Sequence, residues 1–146
     1  MRLLLENGAN PDCNNEFRET PLINFCIRFD AHFRMKDKTT SEAELCDSFL
    51  AVLNTFLIYL PSPLSLDREG RAAKEILDEK MKLAPRVTKK YVGQERYVGL
   101  LAALTQRLLA YEGEYKAHKE KCMELLLSHQ IPSPLAAMVL SYAMPT

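Results

Sequence analysis

The first twenty-nine residues leave the backbone few choices. Leu3, Leu4 and Leu5 form the apolar end of a helix, and Gly8 follows where a left-handed C-terminal residue is wanted. Asn10-Pro11-Asp12 and Asn14-Asn15 are turn formers. Thr20 suits a helix N-cap, its hydroxyl accepting a free backbone N–H. Pro21 suits the first helical position, where a missing N–H costs nothing. Leu22, Phe25, Cys26 and Phe29 continue at helical spacing. The stretch therefore reads helix, glycine stop, turns, capped helix.

This order resembles the ankyrin repeat. Leu3 to Gly8 matches the end of an outer helix, the loop to Arg18 matches the hairpin, and Thr20-Pro21-Leu22 matches the start of the next inner helix. Repeats of the family run about 33 residues with a Thr-Pro-Leu-His signature. Here Ile23 stands at the histidine and Arg18 at the glycine before the threonine. A second copy of the turn lies at Asp67-Arg68-Glu69-Gly70-Arg71-Ala72-Ala73 and leads into Lys74 to Glu79. It keeps Asp67 and Gly70 but has alanines in place of Thr and Pro. Thr20 and Ala72 are 52 positions apart, roughly 19 more than one repeat. A polar insertion around 28–40 and a longer outer helix are expected to hold the excess. The competing reading is a generic helical hairpin with a similar turn.

The resemblance implies an all-α, ankyrin-type helical solenoid fragment that works as a protein–protein interaction scaffold in the cytoplasm, or in a host cytosol if a pathogen or virus makes it. It implies another protein as partner, held by hairpin tips and a concave inner-helix face. The tips are Asn15, Glu16, Phe17 and Arg18, then Asp67, Arg68 and Glu69, and the inner-helix candidates are Asn24 and Arg28. Phe17 has two readings: an exposed aromatic anchor for a partner, or a residue packed on the neighbouring hairpin. Met1 and Arg2 fall where an outer helix is already under way, so additional repeats are expected upstream.

Residues 1–84 are read as ankyrin-like repeats and 91–146 as a helical hairpin plus a terminal capping helix. Ser41 and Glu44 form a capping box that opens a helix to about Leu60, with Leu45, Phe49, Val52, Leu53 and Phe56 as its stripe. Pro61-Ser62-Pro63 ends it. Ala72 to Met81 reads as a short helix. Lys80, Lys82, Arg86, Lys89 and Lys90 around Pro85 then read as a solvated linker, or else as a patch for phosphate or an acidic partner. Val98, Leu101, Ala102, Thr105, Leu108 and Leu109 form one stripe; Tyr115, His118, Cys122, Leu125, Leu126 and His129 form another. A break is expected between them at Glu112-Gly113, giving an antiparallel hairpin. Ser133 and Pro134 open a last helix. With Leu135, Val139, Leu140 and Tyr142 it resembles the opening of an F-box, which implies an adaptor recruiting a ubiquitin ligase; otherwise the helix covers the last apolar face.

Balanced charge, 19 basic against 19 acidic residues, gives no bulk pull toward nucleic acid or membrane, although Tyr91 and Tyr97 flank basic residues. No apolar run reaches the length of a membrane span. Cys13, Cys26, Cys46 and Cys122 are widely spaced without a Cys-x-x-Cys pair and read as reduced thiols. His118 and Cys122 share a helix face, but structural zinc needs four ligands and only His129 is near in sequence. No phosphate-binding glycine loop, nucleophile elbow or carboxylate dyad occurs. No catalytic residue, metal site or cofactor is therefore assigned.

Overall fold

A computed structural model describes residues 2–36, 41–88 and 94–144. Among them the chain is all-helical, with six helices and no strand. They are α1 (Arg2–Glu6), α2 (Pro21–Lys36), α3 (Glu42–Leu57), α4 (Ala73–Thr88), α5 (Gln94–Ser128) and α6 (Ser133–Ala143). Among the described residues no helix is long and apolar enough to cross a membrane.

Local chemistry sets most helix ends. Gly8 (φ 82°) closes α1 in a Schellman arrangement: its N–H donates to the Leu5 carbonyl, and the Ala9 N–H donates to the Leu4 carbonyl. Thr20 caps α2, its hydroxyl accepting the Ile23 N–H at 3.3 Å. Ser41 and Glu44 form the full capping box that opens α3. Leu60 (φ 54°) stands after α3 where Gly8 stands after α1, and Pro61 follows with no N–H to complete the motif. Gln130 (φ 59°) ends α5 with the same pair of bonds as Gly8, from Gln130 N–H to Leu127 and from Ile131 N–H to Leu126.

α4 packs most extensively on α5; α2 lies against α4 and α3 against α5, and α2 and α3 touch more lightly. Between them lies a core of Phe29, Phe33, Phe49, Leu53, Leu77, Leu100, Leu101 and Leu104. Phe25, Phe29, Phe33, Phe49, Phe56 and Tyr97 make a chain of tilted and edge-on ring contacts through it. Two long-range polar bonds tie the connections down: Tyr111 donates to the Pro61 carbonyl at 2.6 Å, and the Ser62 N–H donates to Asp12 at 2.7 Å.

Three expectations need correction. The insertion around 28–40 is not a loop from its start, because α2 continues to Lys36 and buries Phe29 and Phe33; residues 37–40 lie outside the described ones. The linker read around Pro85 is helical to Thr88, with Pro85 exposed and Ala84 buried; Lys89 and Lys90 lie outside the described residues. The hairpin break at Glu112-Gly113 does not occur, and α5 runs unbroken for 35 residues, about 52 Å. A mid-helix glycine costs only about 1 kcal/mol. Here Tyr111 and Tyr115 are buried on either side of it, and the ion pairs Lys116–Glu112 and Arg107–Glu114 reinforce that stretch. The chain turns instead at Gln130, and α6 folds back on α5 through Ala136 and Leu140.

Candidate binding surface

The two loops that precede α2 and α4 share one backbone. Asn15 N–H donates to the Glu19 carbonyl and Arg18 N–H to the Asn15 carbonyl, at 3.2 and 3.0 Å. Asp67 N–H donates to the Arg71 carbonyl and Gly70 N–H to the Asp67 carbonyl, at 3.1 and 3.2 Å. The first side chain closes each turn: Asn15 Oδ1 accepts from Phe17 and Glu19 N–H, and Asp67 Oδ1 accepts from Glu69 and Arg71 N–H. The fourth residue is left-handed in both, Arg18 at φ 60° and Gly70 at φ 75°.

Different side chains brace the two tips. At the first, Glu19 accepts from the amides of Asn15 and Asn24, each at 2.8 Å. At the second, Arg71 reaches three carboxylates: Asp67 at 2.8 Å, Glu69 at 2.9 Å and Glu79 at 3.0 Å. Burial would raise the Asp67 pKa, but the N–H groups of Arg71 and Glu69 together with the Arg71 guanidinium hold it below the ordinary value. The adjacent tips touch, with the Arg68 guanidinium 5.3 Å from the centroid of the Phe17 ring. Phe17 remains 48% exposed. Phe17 thus meets the neighbouring tip and keeps part of its ring exposed.

The remaining candidates divide. Glu16, Arg18, Arg68 and Glu69 are exposed beside Phe17, whereas Asp67 is buried and occupied with the turn. Asn24 is half-buried and committed to Glu19. Arg28 is exposed on α2, outside both tips.

Sequence reasoning missed a polar junction where α2, α4 and α5 meet. Asp30 accepts from Lys80 at 2.6 Å and from the Tyr97 hydroxyl at 2.5 Å. No spacing rule joins positions 50 and 67 residues apart, so only the fold could reveal it. Cys26 lies in the same region, and burial pushes its thiol up to about 12 despite the Lys80 charge, which makes it a poor nucleophile. His118 is exposed and Cys122 half-buried. Among the described residues no group of three or more His, Cys, Asp or Glu is placed to hold a metal. A shallow groove of about 120 Å³ opens between α2 and α3, lined by Phe25, His32, Ser48, Phe49 and Val52.

No family model, no curated protein and no solved structure matches the chain.

Proposed function

We propose that this chain is an ankyrin-type solenoid segment, with further repeats ahead of it, that binds a protein partner in the cytosol through its paired tips. The observation that carries this reading is the contact of Arg68 with Phe17, which joins two turns of identical backbone into one exposed surface. Rigid turns that present an aromatic ring flanked by guanidinium groups suit an interface anchor, because little side-chain freedom is lost on binding. Binding is favoured over catalysis because the polar groups of the tips are spent on backbone closure and internal ion pairs.

The test is capture from cell extract by the parent chain, by Phe17→Ala/Arg68→Ala, and by a control changed at exposed Lys121 on α5. A partner held by the parent and control, but lost by the tip variant at unchanged Tm, supports the reading. Equal capture by all three rules it out.

A second reading has its own observation. Leu135, Met138, Val139 and Tyr142 form an exposed apolar stripe on α6, while Ala136 and Leu140 face inward. An adaptor that recruits a ubiquitin ligase through an F-box-like helix would use this stripe. Leu135→Asp/Tyr142→Ala should then abolish capture of a ligase subunit. Deleting 131–146 is a poorer test, because Leu140 and Met144 are buried and their loss would destabilise the body.

A further inference from the structure

We propose that α6 is a self-association face. Two copies of the chain pair through the stripe of Leu135, Met138, Val139 and Tyr142, antiparallel about a two-fold axis that passes between Met138 and Val139. This rests on neither the repeat reading nor the tips, and it gives the stripe a different occupant from a ligase subunit.

The helix has eleven residues, and one that short is marginal on its own. It packs on α5 through Ala136 and Leu140, with Met144 buried just past its end. Positions 135, 138, 139 and 142 follow the i, i+3, i+4, i+7 spacing and so share one face away from α5. They are 45, 52, 42 and 85% exposed. Beside them stand Pro134, Ser141 and Ala143, all exposed, small and uncharged. The Ser141 hydroxyl already donates to the Met138 carbonyl at 2.7 Å, so covering it strands no donor.

What this face lacks points to its occupant. Charged groups steer different proteins together and fix their register, and α6 carries no charged residue. The order of its side chains supplies a register instead. A two-fold contact sets residue i against j and j against i. Centred between Met138 and Val139, an antiparallel pairing sets Met138 against Val139 of the second copy, and Leu135 against Tyr142. In each pair a longer side chain meets a shorter one, and no like charges are opposed. The Tyr142 hydroxyl lies near the helix end, where it keeps access to water while its ring is covered. The stripe and its rim offer on the order of 500 Å² per copy, so the pair buries on the order of 1,000 Å² in total, near the lower bound of specific interfaces. That suits a reversible dimer with a Kd on the order of 1–100 μM.

Sedimentation equilibrium of the full chain from about 1 to about 300 μM spans that range. The expected result is a monomer at the dilute end and a dimer at the concentrated end. Met138→Glu places two unpaired carboxylates in the contact and should raise the Kd at least about tenfold. The Tm of the dilute chain should not change, because position 138 is exposed in the monomer. Val139→Lys alone should behave likewise. An equimolar mixture of the two variants should dimerise again. In it the new carboxylate of one copy faces the new ammonium of the other, and the second contact remains Met138 against Val139. A parent chain that stays monomeric throughout overturns the proposal. So does a dimer indifferent to Met138→Glu, or a mixture that does not recover. No other protein enters these measurements, so failure of the tip reading leaves them untouched.

Discussion

The two tips reach one backbone by opposite distributions of strain and support. The first places Arg18 in the left-handed region, where a side chain costs about 1 kcal/mol, and closes with a neutral asparagine. The second has Gly70 at that position and closes with a buried carboxylate gripped by Arg71. The helix ends before them reverse the assignment, with Gly8 ahead of the first tip and Leu60 ahead of the second. Each unit thus keeps one glycine of the two that its geometry favours. A turn can therefore be conserved as a shape while its residues are exchanged, provided that enough hydrogen bonds fix the shape.

The largest expected effect tests the unequal bracing. Asp67→Ala removes two backbone acceptor bonds and leaves Arg71 without its nearest partner, and should cost about 2–4 kcal/mol in urea unfolding. Asn15→Ala removes two neutral backbone bonds and one amide donor to the Glu19 carboxylate, but no ion pair, and should cost about 1–2 kcal/mol. Equal losses would mean that the ionic bracing adds nothing.

Exchanging the strained residues comes next. Gly70→Ala should destabilise by about 1 kcal/mol, and Arg18→Gly should stabilise by about 0.5–1 kcal/mol. Both are read as shifts in the unfolding midpoint, and like signs would break the equivalence of the tips.

The caps differ as well. The Ala72 N–H is held by Glu75 at 2.8 Å, but no hydroxyl answers as Thr20 does at α2. Ala72→Thr should complete a capping box and raise stability by about 0.5–1 kcal/mol. The contact between the tips is smaller again. A double-mutant cycle on Phe17→Ala and Arg68→Ala should give a coupling of about 0.5–1 kcal/mol.

The pH dependence separates the first connection from the second tip. Asp67 is held below the ordinary aspartate value of 3.8, so its contribution is complete above that pH and is lost as pH falls through the lower folded value. Asp12 has the opposite sign: burial raises its pKa more than the Ser62 N–H lowers it. Protonating Asp12 therefore favours folding, and its contribution improves as pH falls through the raised value toward 3.8. In paired urea titrations Asp67→Asn should lose stability at pH 7 and converge with the parent in acid. Asp12→Asn should gain a few tenths of a kcal/mol at pH 7 and likewise converge in acid.

Much of the local structure was legible in the chain. The Schellman end at Gly8, the Thr20 cap, the Ser41–Glu44 box and the α3 stripe of Leu45, Phe49, Leu53 and Phe56 (Val52, also expected in it, is exposed) all rest on residues within a few positions of one another. The tip residues were legible for the same reason, since Asn15 and Asp67 act on neighbours two and four positions away. The errors lay where distant packing outweighed a local preference. Gly113 and Pro85 are poor helix residues, yet both lie inside helices whose flanking residues are buried by other elements. Leu60 and Gln130 are left-handed without being glycine, so the sequence placed helix ends near them but did not mark their backbone conformation.

The sequence by itself determined that this chain is built of helices, where most of them start, and which short loops turn without strands, because hydrogen bonds between near neighbours decide those features. Only the tertiary structure decided that Arg68 lies over Phe17, that Asp30 joins Lys80 and Tyr97 across three helices, and that α5 is one rod. Those outcomes depend on which buried surfaces meet, and residues 50 or more positions apart leave no mark of that in the spacing of a single chain.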